Sequence, residues 1–351
     1  MSRVKHETAA INFVEAAYDL ELPPREWLAK IVDSGATLID GMEKACATIW
    51  SGQTDAGEPL VSEVYASPKF PDLPMRFAMA VSDVPREEFA YGTRHLLGRV
   101  GVFSEHRDKL RHTGEAYMRH VGCKDSLAMF ACDLDGRGVN ITIPSQEIIK
   151  LTPAARERWD RLAVHLAAGH RLRTALQIGE STKEPILMTQ LPLVAEAVID
   201  PKKFNISHAE REAKHKTAGE AIRKAARAVD RARGRLRKTD PNEALSLWRG
   251  LVVGRWSLVD WFDSDGRRYL LAKPNAPNCG DPRGLSESEL QVAIYLARGE
   301  SQKHVSYRFG LTEARVSQLL QQVKRKLKVQ TRAELVQRFY PERLMSEPDQ
   351  A

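Results

Sequence analysis

Two acidic motifs have the spacing at which a calcium loop begins. Residues 133–136 and 263–266 both read Asp-x-Asp-Gly. A calcium loop needs a bidentate carboxylate at its twelfth position, where this sequence has Pro144 and Pro274. Asp-Gly between two β-prone runs instead indicates a hairpin turn. The sequence therefore predicts two β-hairpins and no calcium site.

Histidines and cysteines could also bind a metal or act as nucleophiles. His165 and His170 lie five residues apart on one predicted helix, off the i,i+4 spacing that directs two imidazoles at one metal. No C-x-x-C pair occurs among the four cysteines, which are Cys46, Cys123, Cys132 and Cys279. We therefore expect no catalytic centre, no metal site and no cofactor, and the cysteine spacing is typical of a reducing cytosol.

The overall charge favours a polyanionic partner. The 351 residues include 53 Lys and Arg against 46 Asp and Glu, a formal net charge of +7. Acidic residues interrupt every apolar run at the N-terminus, and no stretch reaches about 18 apolar residues. These patterns predict a cytoplasmic protein without a membrane span.

Helix-like and strand-like segments alternate over most of the chain, with a helical region predicted from about Arg76 to Leu110. Two strand-like runs flank the first Asp-Gly, and Thr152 with Pro153 begins a long helix whose apolar stripe would dock on a sheet or on a second copy of the chain. The order of elements over residues 1–180 is similar to a GAF-like α+β sensory domain. Residues 181–274 contain two short predicted strands around a turn at Asp200 and Pro201, a basic helix and the second hairpin. This segment weakly resembles a small PAS-like fold.

Two features of this region have alternative interpretations. The helix predicted after residue 207 is amphipathic, and its basic face is either solvated or in contact with DNA. The tryptophans either pack in cores or line a ligand pocket. They are Trp27, Trp50, Trp159, Trp248, Trp256 and Trp261.

Beyond a Pro/Asn/Gly-rich linker at 275–284, four short helices follow one another. Ser286 and Glu289 have the spacing of a capping box, and the first helix ends at Gly299. Gly310 can supply the left-handed residue of a sharp turn after the second helix, and Thr312 can cap the third. A helix, a glycine turn and a capped helix form the layout in which the later helix enters the major groove of DNA.

The segment 285–339 resembles the LuxR-type (GerE-like) helix-turn-helix, and the resemblance implies a DNA-binding domain over residues 285–345. The residues that carry the resemblance are Leu285, Ser286, Glu289, Ala297, Arg298, Gly299, Ser301, Gln302, Lys303, Gly310, Leu311, Thr312, Glu313, Ala314, Val316, Arg325, Lys326, Leu327, Arg332, Ala333, Glu334 and Leu335. This chain departs from the family at Lys328, where Gly is usual, and at Arg315, Ser317 and Leu319, where Thr, Lys and His are usual. The resemblance therefore implies the fold and not the operator sequence.

The resemblance also implies which side chains face DNA. It places Ser317, Gln318 and Gln321 at base edges and Arg315 near the groove edge; Gln can bond N6 and N7 of adenine as a pair. The implied phosphate contacts are Lys303, Thr312, Lys324, Arg325 and Lys326. The alternatives are a solvated helix end stabilised by the helix dipole for the last three, and surface polarity for the glutamines.

The sequence thus predicts a multidomain α+β transcriptional regulator that is not an enzyme. Double-stranded DNA is the expected partner, bound by a homodimer, because one small helix-turn-helix reads too few base pairs. LuxR-type units usually follow a sensor module, so the N-terminal region is expected to receive an unknown signal or to mediate dimerisation, and RNA polymerase is a further candidate partner. The competing hypothesis is a protein-interaction module that uses the four-helix unit as a docking domain.

Overall fold

The chain divides into two units, each built on its own antiparallel sheet. The first unit comprises Met1–Leu193, Ala226–Trp248 and Ser264–Gly266, and the rest of the chain forms the second. The computed structural model describes residues 3–36, 38, 44–53, 59–96, 99–133, 136–181, 191–275 and 284–339. Helices and antiparallel strands coexist in the N-terminal region and a helical cluster follows, which confirms the predicted α+β multidomain class.

The first unit contains a five-stranded sheet in the order β2-β1-β5-β4-β3. Its strands are β1 (Cys46–Gln53), β2 (Pro59–Ala66), β3 (Val100–Val102), β4 (Asp125–Cys132) and β5 (Arg137–Ser145). The predicted β4–β5 hairpin is confirmed, with Gly136 in the left-handed region at φ +77°, although position 135 lies outside the described residues. The short edge strand β3 lies in a region that the sequence predicts as helical.

Three helices accompany the sheet on one side: α1 (Arg3–Ala17), α2 (Pro24–Gly35) and α6 (Pro153–Ser181). Helix α6 begins where predicted, because the hydroxyl of Thr152 accepts a hydrogen bond from the Ala155 N–H. Its apolar stripe packs on β4, β5 and α1, so the chain itself covers that stripe. A Cβ at Gly169 would lie 1.9 Å from the carbonyl oxygen of Ala17, and this close approach requires glycine.

The chain segment between β2 and β4 contains three further helices next to the sheet. They are α3 (Leu73–Ser82), α4 (Arg86–Leu96) and α5 (Arg111–Ala116), the last continuing into a π-helical turn over Tyr117–Val121. The unit is completed by α8 (Leu236–Thr239) and α9 (Pro241–Leu247), both of which contact α1. Asp240 caps α9 by accepting a hydrogen bond from the Glu243 N–H.

The second unit contains a four-stranded sheet in the order β7-β6-β9-β8. Its strands are β6 (Ala197–Asp200), β7 (Asn205–Ala209), β8 (Trp256–Phe262) and β9 (Arg268–Pro274). Both predicted strand pairs are present, and the second Asp-x-Asp-Gly motif is the β8–β9 turn. The basic helix α7 (Lys216–Arg233) precedes β8, and the division between the two units falls within it.

Four helices complete the second unit. They are α10 (Glu287–Ala297), α11 (Gln302–Phe309), α12 (Glu313–Leu327) and α13 (Arg332–Phe339). Residues 276–283 of the predicted linker lie outside the described residues, and the predicted domain boundaries stay predictions.

Candidate nucleic-acid interface

The start of α10 is fixed by a reciprocal cap. The hydroxyl of Ser286 accepts a hydrogen bond from the Glu289 N–H, while Oε2 of Glu289 accepts one from the Ser286 N–H at 2.7 Å. This is the predicted capping box, and it pairs two backbone donors that a helix start otherwise leaves unpaired. The same carboxylate oxygen lies 2.6 Å from the ammonium of Lys326, so the cap also connects α10 to the end of α12.

The turn between α11 and α12 depends on Gly310. Its φ of +63° is the left-handed conformation expected from the sequence. A Cβ there would lie 1.9 Å from the carbonyl oxygen of Leu251, and the Gly254 N–H donates to the carbonyl of Phe309 at 2.6 Å. The backbone that precedes β8 therefore lies directly against the helix-turn-helix.

The core of the four helices includes a residue from outside them. Leu251 is buried in one cluster with residues of α10, α11 and α12, which are Val292, Tyr295, Leu296, Val305, Phe309, Val316 and Leu319. A second cluster joins α10, the end of α12 and α13 through residues that include Leu290, Val323 and Leu335. Together these clusters fix the rotation of α12 about its own axis.

That rotation leaves one polar face of α12 exposed. Thr312 caps the helix by accepting a hydrogen bond from the Arg315 N–H, and the inward residues are Val316, Leu319, Val323 and Leu327. Successive residues of a helix turn by about 100°. Gln318, Gln321 and Arg325 consequently share the side opposite the core, and all three are exposed.

The other residues predicted at base edges occupy different positions. Arg315 is exposed on the first turn of α12, and its guanidinium lies 3.5 Å from Oε1 of Gln318. Ser317 is half-buried at the border of the polar face. The structure thus groups Arg315 with the two glutamines and places Ser317 beside them.

The residues predicted to contact phosphate lie at separate positions on α11 and α12. Lys303 is exposed on α11, and the three consecutive basic residues of α12 point in different directions. Arg325 lies on the glutamine face, whereas Lys324 donates to the carbonyl of Gln330 at 2.9 Å and Lys326 is paired with Glu289. Of these three basic residues, Arg325 is therefore the one that shares the exposed face of the two glutamines.

Two arginines have structural roles that the sequence pattern does not reveal. The Arg308 guanidinium is buried, donates to Glu300 Oε1 at 2.9 Å and stacks 4.4 Å above the ring of Tyr295. Arg332, at the start of α13, donates to the carbonyls of Leu296 and Glu300. Its guanidinium thereby connects α13 to the end of α10 and to the turn that leads to α11.

Lys328 ends α12 in the left-handed conformation, with a φ of +54°. This is the position at which the sequence departs from a family that usually has Gly. Left-handed backbone costs a non-glycine residue about 1–2 kcal/mol. Lys328 therefore adopts, at some cost in strain, a backbone conformation that glycine adopts without it.

Residues considered for metal or redox chemistry are placed in cores. His165 accepts a hydrogen bond from the Tyr18 hydroxyl and donates to the carbonyl of Trp248. Cys46 and Cys123 are buried free thiols, and burial raises their pKa to about 12 and about 11. Over the described ranges, no cluster of three metal-ligating side chains occurs.

No helix within those ranges is long and apolar enough to cross a bilayer.

Comparison with known proteins agrees with this geometry. Residues 283–339 match the GerE family, described as bacterial regulatory proteins of the luxR family. No curated protein and no solved structure gives a significant match. The match spans the four helices from the capping box of α10 to the end of α13. The C-terminal part of this chain is therefore a LuxR-type helix-turn-helix, the DNA-binding domain of a family of transcription regulators.

Proposed function

We propose that this protein is a homodimeric, sequence-specific regulator of transcription that inserts α12 into the major groove. Gln318 and Gln321 face base edges, where each can form two hydrogen bonds with adenine. Arg315 lies near the groove edge, and Arg325 contacts the phosphate backbone. The N-terminal region receives a signal or holds the dimer together.

The exposed polar face of α12 carries this proposal. The side of the helix opposite Val316, Leu319 and Val323 presents amide and guanidinium groups, which suit base edges and phosphates. A protein-docking surface would instead expose apolar side chains. Across the described residues 284–339, no large hydrophobic side chain is exposed, which favours DNA over a protein partner.

Selection from a random DNA library tests the proposal with the full chain. The expected result is an enriched site with two-fold symmetry whose half-sites are separated by about one helical turn. Footprinting on that site should protect both half-sites. Failure to enrich any sequence at low salt, with intact helical circular dichroism, would contradict sequence-specific binding. Enrichment of a single asymmetric half-site would contradict the dimer.

A further inference from the structure

A cavity of about 800 Å³ lies within the first unit, between its sheet and the helical segment that joins β2 to β4. Its volume falls in the usual range of small-molecule sites. The cavity is partly open to solvent, as a site that admits a ligand must be.

The two faces of the sheet differ in a way that points to an occupant. On the α6 side, alternate residues are apolar and buried, among them Leu127, Met129 and Ile141. On the cavity side, the residues paired across β1 and β5 include Thr48 opposite Asn140, with Thr142 next along β5. Thr48, Asn140 and Thr142 form a polar strip, which a sheet face that only packs against apolar side chains does not need.

One atom of the strip lacks a hydrogen-bond partner. Asn140 donates through Nδ2 to the Thr142 hydroxyl at 3.3 Å, but its Oδ1 is buried with none among the described residues. A buried, unpaired carbonyl oxygen is costly. Rotation of the amide toward the cavity would let an N–H or O–H group of a ligand satisfy it.

Most of the other described lining is apolar, and its charged side chains are Arg86 and Glu88. Aromatic rings of Phe77, Phe103, Tyr117 and Phe130 surround the space. The carboxylate of Glu88 accepts hydrogen bonds from the backbone and side chains of His112 and Thr113. Arg86 also lines the cavity but is exposed, so among the described lining residues an ionised ligand would find no buried countercharge. An unpaired buried charge is strongly unfavourable.

We propose that this cavity binds a neutral, largely apolar small molecule with one polar group that donates an N–H or O–H to Asn140. This inference specifies the signal that the N-terminal region is proposed to receive. Only the role of the ligand as a regulatory signal rests on that proposed function, and binding itself does not. The aromatic walls hold the apolar body, and Thr48 and Thr142 offer further hydrogen bonds to the polar group.

A pair of fluorescent dyes tests the proposal on the full chain without DNA, so that its failure leaves the DNA-binding proposal untouched. N-phenyl-1-naphthylamine is neutral, apolar and carries one N–H, whereas 1-anilinonaphthalene-8-sulfonate has the same rings and a negative charge. We expect the neutral dye to bind at one site per chain and at least about tenfold more tightly than the charged dye. The reason is that removing the sulfonate from water is unfavourable. Equal affinity for the two dyes would overturn the proposal.

Two variants and one control locate the site. Ala128→Phe fills the cavity from β4 and should abolish binding, while Asn140→Leu removes the acceptor and should weaken binding by about three- to tenfold. Ile148→Ala changes an exposed apolar residue outside the cavity lining and should leave binding unchanged. Neutral-dye binding that persists in folded Ala128→Phe would refute the assignment.

Hydrogen exchange of the unaltered protein gives a result that no folding defect can obscure. The neutral dye should slow exchange in β1, β5 and α3 and leave α10 to α13 unaffected. Protection confined to the second unit, or no protection at saturating dye, would show that the cavity is not the binding site.

Discussion

The ammonium of Lys326 lies 2.6 Å from Oε2 of Glu289, the carboxylate that also caps α10. Burial by itself would raise the pKa of Glu289, but the hydrogen bonds from Lys326 and Ser286 outweigh it and lower the pKa. The ammonium of Lys326 thus compensates the negative charge of Glu289, whose side chain is only 5% exposed. A phosphate contact by this ammonium would compete with that pairing.

Replacing Lys326 by Ala should therefore lower the free energy of unfolding. We expect a loss of about 1–2 kcal/mol, because Glu289 would remain buried with its charge less well compensated. Urea denaturation measures it. Lys324→Ala is the matched control, since Lys324 donates to a backbone carbonyl, and it should cost less than about 0.5 kcal/mol. Equal losses would mean that the Glu289 pairing contributes little.

Arg325 should behave as a phosphate contact. Arg325→Ala should weaken binding to all DNA sequences alike and flatten the dependence of log affinity on log salt by about one unit. Titrations at several salt concentrations test this, with Lys150→Ala, an exposed residue of the first unit, as the charge-matched control. A slope that stays unchanged would show that Arg325 does not reach the backbone.

Gln318 and Gln321 should act on specificity. Ala at either position should cost on the order of 1–3 kcal/mol on the selected site and much less on random DNA, because base-edge hydrogen bonds form only in the specific complex. Competition binding with both DNAs measures the difference. If the two DNAs lost affinity equally, the glutamines would be structural or phosphate contacts.

Two left-handed glycines separate backbone strain from close packing. Gly284 and Gly310 both have positive φ, but no described atom lies within 4 Å of a Cβ at Gly284, whereas one at Gly310 would meet Leu251. Gly284→Ala should cost about 1–2 kcal/mol from strain alone. Gly310→Ala should cost more than about 3 kcal/mol, because backbone atoms must also move apart. Similar melting temperatures for the two variants would argue against the close approach.

His165 should make the first unit sensitive to acid. Burial lowers its pKa from 6.5 to about 3, so the folded chain keeps a neutral imidazole while the unfolded chain takes up a proton below pH 6.5. Stability is therefore fully present above pH 6.5 and falls as the pH drops towards 3, by several kcal/mol in order of magnitude. His165→Gln should flatten this slope, and His215→Gln, at an exposed histidine outside the first unit, should not. An unaltered slope in His165→Gln would contradict the burial of a neutral ring.

Local signals in the sequence were sufficient for the helix-turn-helix. The capping box at Ser286, the glycine turn at Gly310 and the Thr312 cap each depend on neighbouring residues, and the structure has all three. The base-edge and phosphate assignments stay predictions, although the structure places Gln318, Gln321 and Arg325 on one face.

Features that depend on distant residues escaped prediction. The strand β3 has three residues, too few for a periodic pattern, and it exists because it pairs with β4. Arg308 is indistinguishable by sequence from a phosphate-binding arginine until Glu300 and Tyr295 are found beside it. The cavity is lined by residues of β1, β4 and β5 that face the same side of the sheet. Their alignment depends on the pairing of strands that are distant in sequence.

The contact of Leu251 and Gly254 with the helix-turn-helix limits how this domain can be transplanted. A fusion that began after residue 283 would carry all four helices but would expose the side of Phe309 and Gly310 that Leu251 covers. A portable version must begin upstream of Arg249 and include β8 and β9. In protein engineering, the exchangeable cassette is therefore larger than the family match alone would suggest.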